Sequence, residues 1–322
     1  MRRPDLLVPV TIVGGMGADD LVGQLATAND RIVAPTWHGP GAGLIRADIG
    51  HRTPGCPCCA MRLDVIDGLM RTVRRATRPD RVFLVADQDD DLASIVYSVL
   101  SDSDLMRHVR LDGVAVVIDA VATATRIAAT GSVGGGRDVD GLALADVIVL
   151  RRFGDLTHGG FEGLTTVLDE INVVGTRLTV GHQLSSTAAG DLARAVTGLD
   201  AWNHVPMVGR GPLRLVSGVG VTRERPSTIL LRQTAPLDAA AVDAWLDRVI
   251  DSYGPGLLRL QAEFAVEGDV LPVRCHGVRS FAASYMSDHA SASQHGESLV
   301  VLVGHGLDAT DLASGFASTR VQ

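Results

Sequence analysis

At 322 residues the chain is long enough for one large or two ordinary domains, each with its own core. A net charge of -8 with 46% hydrophobic residues fits a globular protein and argues against bulk electrostatic binding to nucleic acid or an anionic membrane. The sequence holds no lysine, only arginine, which excludes a Schiff-base lysine, a lysine general base and a phosphate-loop lysine.

Met1-Arg2-Arg3 before the apolar residues 6–13 faintly imitates an export signal, but Pro9 interrupts the run, so a cytoplasmic chain is expected. No stretch reaches the ~18 apolar residues of a membrane span. Residues 6–13 close on Gly14-Gly15-Met16-Gly17, and Asp19-Asp20 open a helical pattern through Leu21 and Leu25. The spacing predicts strand, glycine turn and helix. Residues 31–34 give a second strand, followed by an irregular stretch with Trp37, His38 and His51.

Pro54-Gly55-Cys56-Pro57-Cys58-Cys59 then gathers three of the four cysteines. Soft thiolates select zinc and cuprous copper, and a C-x-C-C run aims several sulfurs at one ion where the backbone turns sharply. Pro54, Gly55 and Pro57 supply that turn chemistry. Cys56, Cys58 and Cys59 are therefore candidate metal ligands, with His51 or His38 as a fourth that would complete a tetrahedron. Inert or redox thiols are the competing reading, and each histidine alone reads as an ordinary loop residue. A disulfide is disfavoured because neighbouring cysteines rarely reach its geometry.

Leu63, Ile66, Met70 and Val73 recur at helical spacing, predicting a helix over 62–76 that Arg78-Pro79-Asp80 breaks. Residues 82–86 and 114–118 read as strands buried on both faces, with a helix over 92–100 between them. Asp87, Asp89, Asp90 and Asp91 read as a solvated helix start rather than a hard-cation site. A glycine loop over 131–136, a strand over 147–150, a helix over 160–172 and a last strand over 176–180 complete an alternation that implies a doubly wound α/β domain with a mostly parallel sheet.

The pattern dissolves into glycine, arginine and proline over 200–225, which divides the chain into a domain at 1–203, a linker at 204–225 and a domain at 226–322. In the last, strands are expected over 228–232, 257–265, 270–275 and 299–303, and helices over 239–251 and 309–316. Glu267-Gly268-Asp269 makes a hairpin turn. This order suits a small α+β sandwich. Cys275-His276 cannot both serve one ion from a strand, so a packed cysteine and an exposed histidine are expected. His204, His289, His295 and His305 are too scattered to form a site.

Residues 10–18, the Gly55-Cys56-Pro57-Cys58-Cys59 run with its following helix, Leu111-Asp112-Gly113-Val114-Ala115-Val116-Val117-Ile118-Asp119-Ala120 and residues 299–308 together resemble the CobW-like GTPase family, which includes zinc metallochaperones and cobalamin-pathway proteins. In that family they would be the first strand and phosphate loop, the G-C-x-C-C hallmark, the central strand and the last strand of the C-terminal domain. The resemblance implies a P-loop-NTPase-like sheet, a CobW-type C-terminal α+β domain and zinc at Cys56, Cys58 and Cys59.

The chain departs from the family at its nucleotide elements. A phosphate loop reads G-x-x-x-x-G-K-[ST], yet counting from Gly14, and with Gly17 inside the loop, the second glycine falls on Asp19, the lysine on Asp20 and the hydroxyl on Leu21. Each carboxylate–phosphate repulsion at ~4 Å costs roughly 1 to 4 kcal/mol at surface-like dielectrics. The switch position reads Val85-Ala86-Asp87-Gln88-Asp89 and the guanine clamp Arg151-Arg152-Phe153-Gly154-Asp155. The expectation is a pseudo-GTPase without nucleotide, similar to a branch in high-GC actinobacteria with degenerate phosphate loops, some of which recruit ribosome hibernation factors in response to zinc. That resemblance implies a ribosome-associated protein partner, and neither nucleic acid nor membrane. The alternative is a metallochaperone coupled to GTP hydrolysis, which the missing lysine disfavours.

Overall fold

The computed structural model describes residues 7–34, 44–46, 57–75, 77–86, 90–172, 174–180, 186–202, 226–286 and 296–321. They fall into two compact units, one of residues 1–168 with 175–201 and the other of residues 169–174 with 202–322. The segment expected as linker, 204–225, lies outside the described residues.

In the first unit, β1 (Val8–Gly15) lies between β4 (Val82–Val85) and β5 (Val109–Asp119). Beyond β4 come β2 (Arg31–Ala34) and β3 (Leu44–Arg46), and beyond β5 come β6 (Val147–Arg151) and β7 (Thr176–Val180). Every pairing in this seven-stranded sheet is parallel. Such a sheet must be covered on both faces, and all four residues of β4 are buried. One face carries α1 (Ala18–Leu25) and α7 (Ser186–Val196), whose Leu21, Val22, Leu25, Leu192 and Val196 join Val13, Phe83, Ala115 and Val149 in one core. Outside that core lie α2 (Pro57–Val73), α3 (Leu92–Ser101) and α5 (Gly136–Leu144), with α3 packed on both α2 and α5. The unit also contains α4 (Ala120–Thr130), and α6 (His158–Ile171) runs from it into residues assigned to the second unit.

Buried Asp112 ties β5 to the chain end that follows α7. It accepts from Gly198 N at 2.6 Å and Asp200 N at 3.1 Å, and pairs with Arg110 at 3.1 Å. Several bounds and elements of this unit differ from expectation. The strand placed at 114–118 begins five residues earlier, α2 begins at Pro57 rather than 62, and α4, α5 and α7 occupy stretches where only loops or no element was expected.

The second unit holds a five-stranded antiparallel sheet ordered β11-β10-β9-β12-β8, from β8 (Ser227–Gln233), β9 (Leu257–Phe264), β10 (Val273–Val278), β11 (Phe281–Met286) and β12 (Ser298–Gly304). The helices α8 (Ala239–Tyr253) and α9 (Ala309–Ala317) close one face around Trp245, Phe264 and Phe316, whose rings meet at 5.1 to 6.5 Å. Cys275 belongs to this core. The other face carries Arg259, Gln261 and Glu263 on β9 and Arg274 and His276 on β10, all buried. The exposed histidine expected at 276 is therefore corrected: its ring lies on the polar face, and burial pushes its pKa down to about 4. The strand expected to begin at Val270 begins at Val273, and Val270 is 97% exposed.

Candidate functional site at the carboxyl ends of the parallel strands

Strand succession reverses direction at β1, so the carboxyl ends of β1 and β5 mark the topological switch point, where open α/β sheets bind their ligands. The glycine turn sits there. Gly14 ends its face of β1 against Leu92, where a Cβ would crowd the leucine side chain. Gly15 and Gly17 have φ of 91° and 89°, the left-handed region that favours glycine. At Gly15 a Cβ would collide with the Val117 carbonyl, and at Gly17 with the Arg151 guanidinium.

Gly17 is the N-cap of α1 and supplies no side-chain cap, so the first-turn carboxylates Asp19 and Asp20 complement the positive end of the helix dipole. Asp20, at the lysine position of the phosphate-loop count, accepts from Arg151 Nη1 at 3.1 Å. Arg151 ends β6, where the guanine clamp would begin. Its guanidinium thus lies against Gly17 while bound to Asp20, so the chain's own cation stands beside the turn. The side chains of Asp20 and Arg151 are 62% and 33% exposed, so the pair is solvent-screened and contributes below about 1 kcal/mol to stability.

A second arginine consolidates this edge. Arg152, with φ of 56°, donates to Asp119 at 2.9 Å and to Asp155 at 3.4 Å. Asp119 also caps α4 by accepting from Ala122 N at 2.9 Å. Burial alone would raise the Asp119 pKa, but the Ala122 N–H and then Arg152 more than offset it and hold the carboxyl below its ordinary value. Of the acidic run, Asp91 caps α3 through Ser94 N at 3.2 Å and Ser94 Oγ at 2.8 Å, which agrees with the helix-start reading. Asp90 is half-buried, and Asp87 and Asp89 lie outside the described residues.

Of the proposed metal ligands, Cys58 and Cys59 fall in the first turn of α2, directly after Pro57 at its first position, where a proline's missing N–H costs nothing. Cys56, His51 and His38 lie outside the described residues, as do His204, His289 and His295. Among the described residues no group of three or more His, Cys, Asp or Glu could hold a metal ion, and no helix is long and apolar enough to cross a membrane. The pairing of Arg151 with Asp20 spans 131 residues and had no signal in the sequence beyond the odd charges at each position.

Strand, glycine turn and helix at the switch point of a doubly wound sheet, in a chain with a separate antiparallel α+β unit, define a P-loop-NTPase-like protein of two domains. Family models agree: residues 44–174 match the CobW/HypB/UreG nucleotide-binding domain and residues 227–320 the cobalamin synthesis protein cobW C-terminal domain. The two matches fall on separate stretches of the chain, the first beginning after the glycine turn. Among solved structures it is similar to Zn(II)-bound YjiA GTPase from E. coli, with a TM-score of 0.69 at 18% identity over 98% of this chain and 99% of that one. A Zn(II)-bound triple mutant of YjiA gives 0.68 at 19% identity, with the same coverage. At such identities the likeness is one of fold. No curated protein matches the chain.

Proposed function

We propose that this chain is a zinc-binding CobW-type pseudo-GTPase, which acts in the cytoplasm by metal-responsive recognition of a protein partner of the ribosome hibernation class. The observation that carries the reading is the Arg151–Asp20 pair set against Gly17. A triphosphate entering there would meet Asp19 and Asp20 where a lysine normally neutralises it, and would have to displace Arg151 from its carboxylate. The GTP-coupled metallochaperone reading needs that cation turned toward the phosphates, and no lysine exists to take its place.

Zinc fits the donor chemistry of Cys56, Cys58 and Cys59, since thiolates are its preferred soft ligands. Zn(II)-bound YjiA has the same fold. With nucleotide exchange lost, metal occupancy is the remaining input, and it shifts partner binding only by its differential affinity for two states, typically about 5- to 150-fold.

Isothermal titration of the full chain with Mg-GTP and Mg-ATP, with zinc and with chelator, tests the nucleotide half. The expected result is no micromolar binding in any arm, and micromolar GTP binding with turnover would establish the chaperone reading instead. For the metal half, about one zinc per chain is expected, weakening as pH falls and the thiolates protonate. A variant with Cys56→Ser, Cys58→Ser and Cys59→Ser that kept its zinc would place the ligands elsewhere.

A further inference from the structure

A pocket opens beside the glycine turn, at the carboxyl ends of β1 and β5, and occupies about 680 Å³ with its open mouth included. Gly15 and Met16 form the wall nearest the turn, and the pocket then runs toward α3 and α5, away from the α1 core. Its floor is apolar, built by Leu92, Val116, Val133 and Leu142, all buried. Gly141 on α5 keeps that floor open, since a side chain there would press on Leu92. Apolar floors with a few convergent polar groups are the usual form of small-molecule sites.

The rim holds Arg126, Arg137, Asp90, Asp119, Asp138 and the Thr123 hydroxyl. Asp119 and Asp138 are already answered within the fold. Asp119 is bound to Ala122 N and Arg152, and Asp138 accepts from Gly135 N at 2.9 Å as part of the α5 cap. Arg126 is differently placed. Its Nη1 donates to the Val133 carbonyl at 3.0 Å and stands 3.9 Å from Asp138, which fixes the guanidinium at the mouth without using Nε or Nη2. Those two nitrogens form one edge of the planar fork, the geometry that takes a carboxylate through two parallel hydrogen bonds.

We propose that this pocket binds a small organic carboxylate with a compact apolar body, its carboxylate on the Nε/Nη2 edge of Arg126 and its body on the floor formed by Leu92, Val116, Val133 and Leu142. The pocket shares Gly15 and Met16 with the glycine turn but is not lined by Gly17, Asp20 or Arg151, so its failure would leave the reading of the nucleotide elements untouched.

The test is equilibrium titration of the full chain with benzoate, alongside benzamide as the neutral isostere and benzylamine as the cation. Saturable binding of one benzoate per chain is expected, with benzamide and benzylamine each about tenfold weaker or worse, the ratio a charge-assisted pair supplies. Arg126→Leu should lose about the same factor for benzoate, while leaving benzamide unchanged. Ala122→Trp, from the exposed side of α4 where Ala122 lines the pocket, should block all binding. Should either variant fail to fold by circular dichroism, the three-probe comparison on the unaltered chain still decides. No benzoate binding, equal binding of benzamide, tighter binding of benzylamine, or benzoate affinity unchanged in Ala122→Trp would each overturn the proposal.

Discussion

Two groups of arginines in this protein meet their partners under opposite physical conditions. At the carboxyl ends of the parallel strands, Arg151–Asp20 and Arg152–Asp119 lie where water reaches at least one partner. On the polar face of the antiparallel sheet, Arg274 and Glu263 are each 8% exposed and Arg259 is fully buried, bonded to Gln261 at 2.9 Å with its guanidinium 5.0 Å from the Trp202 ring. The first set exchanges partners at little cost and suits a surface that adapts. In the second set each charge depends on its neighbour, because an uncompensated ion there has no water to turn to.

The contrast is broken most forcefully at Glu263. Glu263→Leu strands the Arg274 charge and should cost about 3 to 5 kcal/mol in urea unfolding, whereas Glu263→Leu with Arg274→Leu should recover most of that loss. Failure of the double variant to recover would show that the pair is needed for more than mutual neutralisation.

His276 tests the same face by pH. Its folded pKa, about 4, lies below the ordinary 6.5, so the unfolded chain binds the extra proton between those values. Stability should therefore fall as pH drops from about 6.5 to 4, by up to about 3 kcal/mol, and level off below. His276→Gln should flatten that slope in denaturation curves measured across the window.

At the other region the effects shrink. Asp119→Ala removes the α4 cap and should cost about 1 to 2 kcal/mol at neutral pH. Because the Asp119 pKa is lowered in the fold, that contribution is present above the usual carboxylate range and disappears as pH falls through the folded value. Asp20→Asn should be the mildest, below about 1 kcal/mol in the same assay. A larger loss would mean that the Arg151 contact holds the glycine turn in place.

The short parallel strands are the most legible part of the fold in sequence, β4 and β6 through nearly continuous apolar runs: β1, β2, β4, β6 and β7 lie within two residues of their expected bounds. α4 reads AVATATRIAAT and α5 reads GRDVDGLAL, too poor in large apolar side chains for a helical stripe to show. Tertiary burial of Ala120, Ala124, Val139 and Leu142 supplies the stabilisation instead. The hairpin into β11 was hidden because Arg279, at φ of 52°, takes the left-handed turn position where glycine or asparagine is the usual signal. Pro57, which the sequence reads as turn chemistry, is the first residue of α2. At the candidate site, the odd carboxylates at 19 and 20 were visible, but the arginine answering Asp20 was not, since no local rule links residues 131 positions apart.

Cys275 is 3% exposed, and burial pushes its thiol up to about 11. It is thereby mute to alkylating and mercurial reagents in the native state. The remaining three cysteines are the motif at 56–59, so a colorimetric thiol count on the folded chain has a silent background, and any rise on adding chelator can be assigned to that motif without mutating a residue.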